Sequence, residues 1–130
     1  FEPGSHGTTF GGGPIACRAA LAVLDAIEEE GLLPRISSLG AEFQDRLAAI
    51  SNAHPKVLEG PRGRGLMIGV TMRVPAGEFV RDLRKRGLLA VPAGGEVVRF
   101  LPPLNVSSED LQKAAGIVEA AAADWHLNED

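Results

Sequence analysis

The segment from Ser5 to Pro14, SHGTTFGGGP, has the residue types that a binding loop for an anion needs. Its glycines allow the backbone to approach a ligand closely, and the adjacent hydroxyls of Thr8 and Thr9 can donate hydrogen bonds to phosphate oxygens. A helix that starts at Pro14 would add its N-terminal dipole. A Gly/Thr-rich segment before a helix is also typical of an ordinary turn, so composition alone leaves both interpretations open.

Three arginines have the chemistry to bind a carboxylate. Arg99 stands in EVVRFLPPL, within an apolar strand, so its guanidinium must either reach the solvated face of a sheet or meet an acidic group. Arg62 and Arg64 alternate with glycine in GPRGRG, just before the apolar run LMIGVTM. For all three arginines the pattern favours a solvated or structural charge over direct contact with a ligand.

Several well-known binding motifs are absent from the sequence. GPRGRGLMIG lacks the glycine spacing of a GxGxxG dinucleotide loop and precedes a strand instead of following one. The three histidines, His6, His54 and His126, are isolated from one another and from any carboxylate pair at metal spacing, so no metal site is expected. Cys17 falls near the apolar side of a predicted helix, which favours a small core residue over a reactive thiol.

Four helices are predicted from apolar residues at helical spacing. The first begins at Pro14 and stops at Gly31, and the last begins with a capping box formed by Ser107 and Asp110. The second begins near Pro34 and has an apolar stripe made of Ile36, Leu39, Phe43, Leu47 and Ile50. The remaining helix is a short one over residues 75–86.

Three strands complete the prediction: LMIGVTM at 66–72, then 88–91 and 97–101. Residues 54–65 are interpreted as a turn that leads into the first strand, and Gly94 and Gly95 join the last two strands as a hairpin. Three strands are too few for a large doubly wound sheet. The order therefore predicts an α+β domain with a short, mostly antiparallel sheet covered on one face by helices.

Composition limits the classes of function. The chain has 130 residues, 45% of them hydrophobic, which suits one compact unit, and its formal charge of -4 gives no support to a nucleic-acid partner. One cysteine excludes an internal disulfide and fits a reducing, cytoplasmic setting, and no apolar run suggests a membrane partner. Because the chain begins at Phe1 with a loop-like segment, we expect it to be a piece of a longer protein.

Three segments, in this order along the chain, resemble the C-terminal third of class III aminotransferases. They are HGTTFGGGPIACRAALAVLDAIEEEGLL, GRGLMIGV and GLLAVPAGGEVVRFLPPLNVSSEDL, and the similarity runs from Phe1 to about Ala122. The resemblance implies the small C-terminal domain of a fold type I transferase that depends on pyridoxal 5'-phosphate. It also implies a homodimer with active sites at the subunit interface, and small amino-acid and 2-oxo-acid substrates.

The resemblance assigns roles to three residues. In this family the HGTT loop reaches the cofactor of the neighbouring subunit, so Thr9 would donate to its phosphate and Thr8 would lie beside the acylated substrate. Arg99 would bind a substrate carboxylate, whereas the RGRG segment receives no catalytic role. The implied reaction transfers the amino group of N2-acetylornithine to 2-oxoglutarate, a step of arginine biosynthesis.

The family's Schiff-base lysine lies upstream of the HGTT loop. Lys56, Lys85 and Lys113 match no family motif, so we expect no catalytic residue in this chain, no cofactor bound by the chain alone and no activity without the rest of the protein. The implied division is a cofactor-contacting loop at 1–13 belonging to the large domain, connecting helices at 14–50, and the small domain at 51–130. The family usually has GGNP where this chain has GGGP, so Gly13 replaces an asparagine.

Two alternatives stay open. The first is another class III ω-aminotransferase, acting on ornithine, succinylornithine, 4-aminobutyrate or an acylated lysine. The second, from a different class of function, is a stand-alone interaction module that performs no chemistry.

Overall fold

The computed structural model describes residues 2–125, divided between a compact unit that ends at Leu33 and a second that begins at Pro34. In chain order the elements are α1 (Pro14–Glu29), α2 (Leu32–Ala53), β1 (Leu58–Arg64), β2 (Met67–Met72), α3 (Ala76–Lys85), β3 (Val91–Ala93), β4 (Val97–Phe100) and α4 (Ser108–Trp125). Within the described residues, no helix combines the length and the apolar character needed to cross a membrane.

The first unit consists of the glycine-rich loop and α1. Pro14 is the first helical residue and Gly31, at φ +59°, follows the helix end, as predicted. No residue of α1 is buried: Ile15 is 88% exposed, and Cys17 is exposed as well. The prediction that Cys17 is a core residue was therefore wrong, because helical spacing identifies an apolar stripe but not what covers it.

The second unit is built on a four-stranded sheet with the order β1-β2-β4-β3, antiparallel at every pair. Side chains alternate along the two central strands, and one set is buried: Ile68, Val70, Met72, Val98 and Phe100. Helices pack on this buried face, which confirms the predicted α+β architecture with an antiparallel sheet.

The helical stripe predicted for α2 supplies much of the core. Phe43, Leu47 and Ile50 are buried, and the Phe43 ring meets the Phe100 ring edge-on, with centroids 5.8 Å apart. Gly40 lies on the same helix against the turn between β1 and β2, where a Cβ atom would collide with the backbone of Gly65. The helix and the turn can approach this closely only because neither position carries a side chain.

Residues 54–65 were predicted to form a turn, and this prediction was wrong, because strand β1 lies within them. The segment LEGPRGR forms an edge strand with a register shift between Leu58 and Gly60, and the turn falls at Gly65 instead. Glycine and proline normally argue against a strand. An edge strand tolerates Pro61, because one side of its backbone has no partner in the sheet.

Strand β3 lies later than predicted, at Val91–Ala93 instead of 88–91. The amide of Leu88 donates to the carbonyl of Leu83 (2.9 Å), and that of Gly87 donates to Arg84 (3.1 Å). With Gly87 at φ +90°, these two bonds form a Schellman motif that ends α3. Leu88 therefore belongs to the helix cap and is not available to the sheet.

Polar contacts fix the helices around the sheet. The hydroxyl of Ser107 accepts a hydrogen bond from the Asp110 amide at 3.0 Å, so the predicted cap of α4 is confirmed. Arg86, after α3, pairs with Asp82 at 2.8 Å and with Asp124 on α4 at 2.9 Å. Hydrogen bonds to Asp82 and Asp124 raise the pKa of the Arg86 guanidinium above its usual value.

Candidate functional site

The glycine-rich loop contains a turn closed by a side chain. The amide of Gly11 donates a hydrogen bond to Oγ1 of Thr8, with an N–O distance of 3.1 Å. This bond spans Thr9 and Phe10, so these two residues occupy the middle of a turn that the Thr8 hydroxyl holds closed.

Gly11 is the one position of this turn where a side chain would not fit. A Cβ atom there would collide with Cγ2, the methyl group of Thr8. The neighbouring Gly12 has φ +75°, a left-handed conformation that favours glycine. Two of the glycines before α1, Gly11 and Gly12, are thus required by the shape of the loop. In the sequence, three consecutive glycines before a predicted helix were the pattern that could have identified these positions.

Thr9 has the exposure that a donor to a ligand needs. It is exposed, its hydroxyl makes no hydrogen bond with any other residue in the range 2–125, and it borders an open groove of about 680 Å³ formed by the loop and the first turns of α1. No acidic residue lies in the first turn of α1, and Gly13 contributes no capping side chain. A hydroxyl donor near an uncapped helix N-terminus fits a phosphate group.

Arg99 lies on the open face of the sheet, opposite the buried side chains. Directly across from it are Gly69 on β2 and Val91 on β3, and Gly69 in turn lies across from Arg62 on β1. The two arginines therefore flank a position without a side chain, with Cα atoms about 10 Å apart. Both are exposed, and neither forms an ion pair with a residue that the structure describes.

Arg62, Gly69 and Arg99 form a row across the sheet. In this row the charge of Arg99 has no acidic partner among the described residues, and the opposite face of the sheet packs against the core. A guanidinium that keeps its donors free can take a carboxylate in a bidentate arrangement. The Val97 side chain, on the same face as Arg99, lies over Gly69, with Cγ1 2.9 Å from where a Cβ atom of residue 69 would be. In the sequence, Gly69 is an isolated glycine inside an apolar strand. Such a glycine often marks a site where another group approaches the backbone closely.

The apolar hollow beside the end of β4 offers no comparable chemistry. It measures about 300 Å³ and is lined by Phe43, Phe100 and Leu101 among other apolar residues. Its one ionisable lining residue is Asp110, which already accepts a hydrogen bond from the Ser107 hydroxyl at 2.8 Å. No lysine or arginine lines the hollow, so it has no cation that could bind the carboxylate of an amino acid.

Thr8 and Thr9 belong to the first unit and Arg99 belongs to the second. Lys56, Lys85 and Lys113 are exposed, and Lys113 pairs with Asp110 at 3.5 Å. Among residues 2–125 there is no group of three or more His, Cys, Asp or Glu side chains that could hold a metal ion. His126 lies outside the described residues.

Comparison with known proteins gives a consistent result along the chain. The family model described as Aminotransferase class-III matches residues 1–122. An acetylornithine aminotransferase of Agrobacterium fabrum is 42% identical over 120 residues, which cover 92% of this chain and 30% of the relative. An ornithine aminotransferase of Halalkalibacterium halodurans is 44% identical over 114 residues, covering 88% of this chain and 28% of the relative.

A solved structure agrees with these relatives. The ornithine aminotransferase of Toxoplasma gondii, with partial occupancy of pyridoxal phosphate at its active site, superimposes with a TM-score of 0.83 and 32% identity. The superposition covers 99% of this chain and 32% of that one. The chain thus spans about 30% of the length of the curated relatives it matches.

Proposed function

Because the chain belongs to the class III aminotransferases, we propose that it is the C-terminal part of an enzyme that transfers the amino group of N2-acetylornithine to 2-oxoglutarate. The observation that carries this proposal is Thr9, an exposed hydroxyl without a partner among residues 2–125, in a closed turn just before α1. The similarity to the A. fabrum acetylornithine aminotransferase supports the choice of substrate.

Thr9 is the residue that would hold the cofactor. Its hydroxyl can donate one hydrogen bond to a phosphate oxygen of pyridoxal 5'-phosphate, and in a homodimer that cofactor belongs to the neighbouring subunit. Charge assistance makes a bond of this kind stronger than a neutral one. When bound, the cofactor supplies the electron sink for the transfer. The positive end of the α1 dipole lies a few residues further along the chain and favours the same charge.

Arg99 would bind a substrate carboxylate from the small domain. Its side chain is exposed, and no acidic residue in the described range neutralises it. Thr8 would lie beside the acylated substrate. Binding at these positions orients the reacting amino group and does not itself move a proton.

The chain alone lacks a lysine for covalent attachment of the cofactor, since its three lysines match no family motif. We therefore expect the 130-residue chain to be inactive and the full-length homodimer to act in the cytoplasm, in arginine biosynthesis. Mixing the chain with pyridoxal 5'-phosphate should give no saturable, lysine-specific absorbance band. A band that a single Lys→Arg substitution removes would contradict this expectation.

Substrate choice is tested on the full-length parent protein. We expect the highest kcat/KM with N2-acetylornithine as amino donor, compared with ornithine, succinylornithine, 4-aminobutyrate and N-acetyl-lysine. Similarity to the H. halodurans ornithine aminotransferase makes ornithine the second candidate, and a preference for it would replace the first proposal. Absence of transfer from all these donors would favour the non-catalytic interaction module.

A further inference from the structure

We propose that Thr8 is a positioning residue: by accepting the hydrogen bond of the Gly11 amide, its side chain holds Thr9 where the Thr9 hydroxyl can donate to the cofactor phosphate. This inference rests on the proposed function, because it assigns a task to the neighbour of the phosphate donor. The 3.1 Å bond between Gly11 N and Thr8 Oγ1 is its direct support.

Closing the turn restricts the backbone of Thr9. A loop of glycines and small residues samples many conformations, and fixing each residue on binding costs conformational entropy. The bond from Gly11 to Thr8 spans Thr9, so it removes part of that freedom before the phosphate arrives. Affinity gained in this way comes from preorganisation, without any contact between Thr8 and the phosphate.

The methyl group of Thr8 contributes to the same restraint. It occupies the space beside Gly11 where a Cβ atom would otherwise lie. A β-branched side chain has few accessible χ1 rotamers, so the position of the methyl and that of Oγ1 are fixed together. Thr8 thus contacts the backbone of Gly11 twice, through a hydrogen bond to its hydroxyl and through its methyl group.

The hydroxyl of Thr8 keeps its own proton in this arrangement. Oγ1 acts as the acceptor towards Gly11, and its O–H group can still donate to a second partner. Its positioning role is therefore compatible with a place beside the substrate.

The test uses the full-length parent protein with Thr8→Val, Thr8→Ser, Thr9→Val and the double variant Thr8→Val/Thr9→Val. The affinity of the apoenzyme is measured for pyridoxal 5'-phosphate and for pyridoxal, which lacks the phosphate. We expect Thr9→Val to weaken the affinity for the phosphate form by tenfold or more, and Thr8→Val to weaken it by about fivefold. Thr8→Ser keeps the acceptor and loses only the methyl contact, so it should weaken the affinity less than Thr8→Val does, and the affinity for pyridoxal should not change in any variant.

The double variant separates positioning from independent contact. If Thr8 acts through Thr9, the double variant binds the cofactor no more weakly than Thr9→Val alone. Additive losses would overturn the inference, as would an unchanged affinity in Thr8→Val when Thr9→Val is impaired. If Thr9→Val changes nothing, the proposed phosphate contact fails as well, which distinguishes the two failures.

A second readout does not involve the cofactor. Hydrogen exchange of the Gly11 amide in the apoenzyme should be fastest in Thr8→Val and closer to the parent's rate in Thr8→Ser, because only valine removes the acceptor. Equal exchange in all three proteins would overturn the proposed positioning role. Equal melting temperatures would show that any loss of affinity is local to the loop.

Discussion

Arg99 of β4 lies directly opposite Gly69 of β2 on the open face of the sheet, and the Val97 side chain lies over that glycine, with Cγ1 2.9 Å from where a Cβ atom would be. Across Gly69 lies Arg62, and neither arginine has an acidic partner within the part of the chain that the structure describes. The sheet register, which no local pattern specifies, creates this row of two cations separated by a glycine.

Replacing Arg99 should separate binding from turnover. In the full-length protein we expect Arg99→Gln to raise the KM for 2-oxoglutarate by tenfold or more, since a bond between two charged groups is lost. Arg64→Gln is the matched control, because Arg64 is also exposed on the open face but lies opposite Met67 at the sheet's edge. Equal effects of the two substitutions in steady-state kinetics would contradict a specific role for Arg99.

Substitution of Gly11 should depend on the residue at position 8. A Cβ atom at Gly11 collides with the Thr8 methyl group, so Gly11→Ala should weaken cofactor binding more in the parent than in a Thr8→Ser background, where that methyl is absent. Gly7→Ala serves as the control, since a Cβ atom there meets nothing within 4 Å. Titration of the full-length apoenzyme with pyridoxal 5'-phosphate measures the difference, and identical losses in both backgrounds would refute the steric argument.

Two helical glycines should respond in opposite directions to alanine. Gly40→Ala should lower the free energy of unfolding, because the new Cβ atom would collide with the backbone of Gly65, which cannot rotate away. At Gly116 in α4, a Cβ atom meets nothing within 4 Å. Gly116→Ala should therefore raise the free energy of unfolding, by up to about 1 kcal/mol, because alanine has the higher helix propensity. Urea unfolding of the chain distinguishes the two, and stabilisation by Gly40→Ala would show that the contact is not close.

The ion pairs of Arg86 should contribute to stability without pH dependence in the neutral range. We expect Arg86→Gln to lower the free energy of unfolding, because two ion pairs are lost. The loss should be only about 1 kcal/mol, since Arg86, Asp82 and Asp124 are all partly exposed. The pKa of the Arg86 guanidinium is higher in the folded than in the unfolded chain. The stability gained from this shift is complete below the pKa that Arg86 has in the unfolded chain, and it is lost only as the pH rises through the pKa that Arg86 has in the folded chain.

Both of those pKa values lie far above neutrality. The difference between Arg86→Gln and the parent should thus be equal at about pH 6 and about pH 9. Urea titrations at the two values measure it. A difference that grows between them would mean that another titrating group contributes.

Local features of the fold were predictable from the sequence. Pro14 and Gly31 bound α1, Ser107 caps α4, and Gly94 and Gly95 connect β3 to β4. Each of these depends on the conformational preference or hydrogen-bonding capacity of a residue within its own turn. The apolar stripe of α2 was predictable for the same reason, since its period is that of the helix itself.

Helical spacing did not predict whether the apolar stripes of α1 and α2 are buried. The stripe of α2 is buried and that of α1 is exposed, although both have helical spacing. β1 forms from a segment rich in glycine and proline because the free strand edge of β2 can pair with it, so tertiary pairing overrides its local propensity.

Four helices, the ends of α1, the cap of α4, the α+β class and, through three motifs in order, the family resemblance were predictable from the sequence. These depend on residues that are close in sequence, or on the order of motifs. The placement of Arg62 and Arg99 on either side of Gly69 follows from the strand register, which is known only from the tertiary structure. Strand register depends on how residues far apart in the sequence pack against one another, and no periodicity in the chain encodes it.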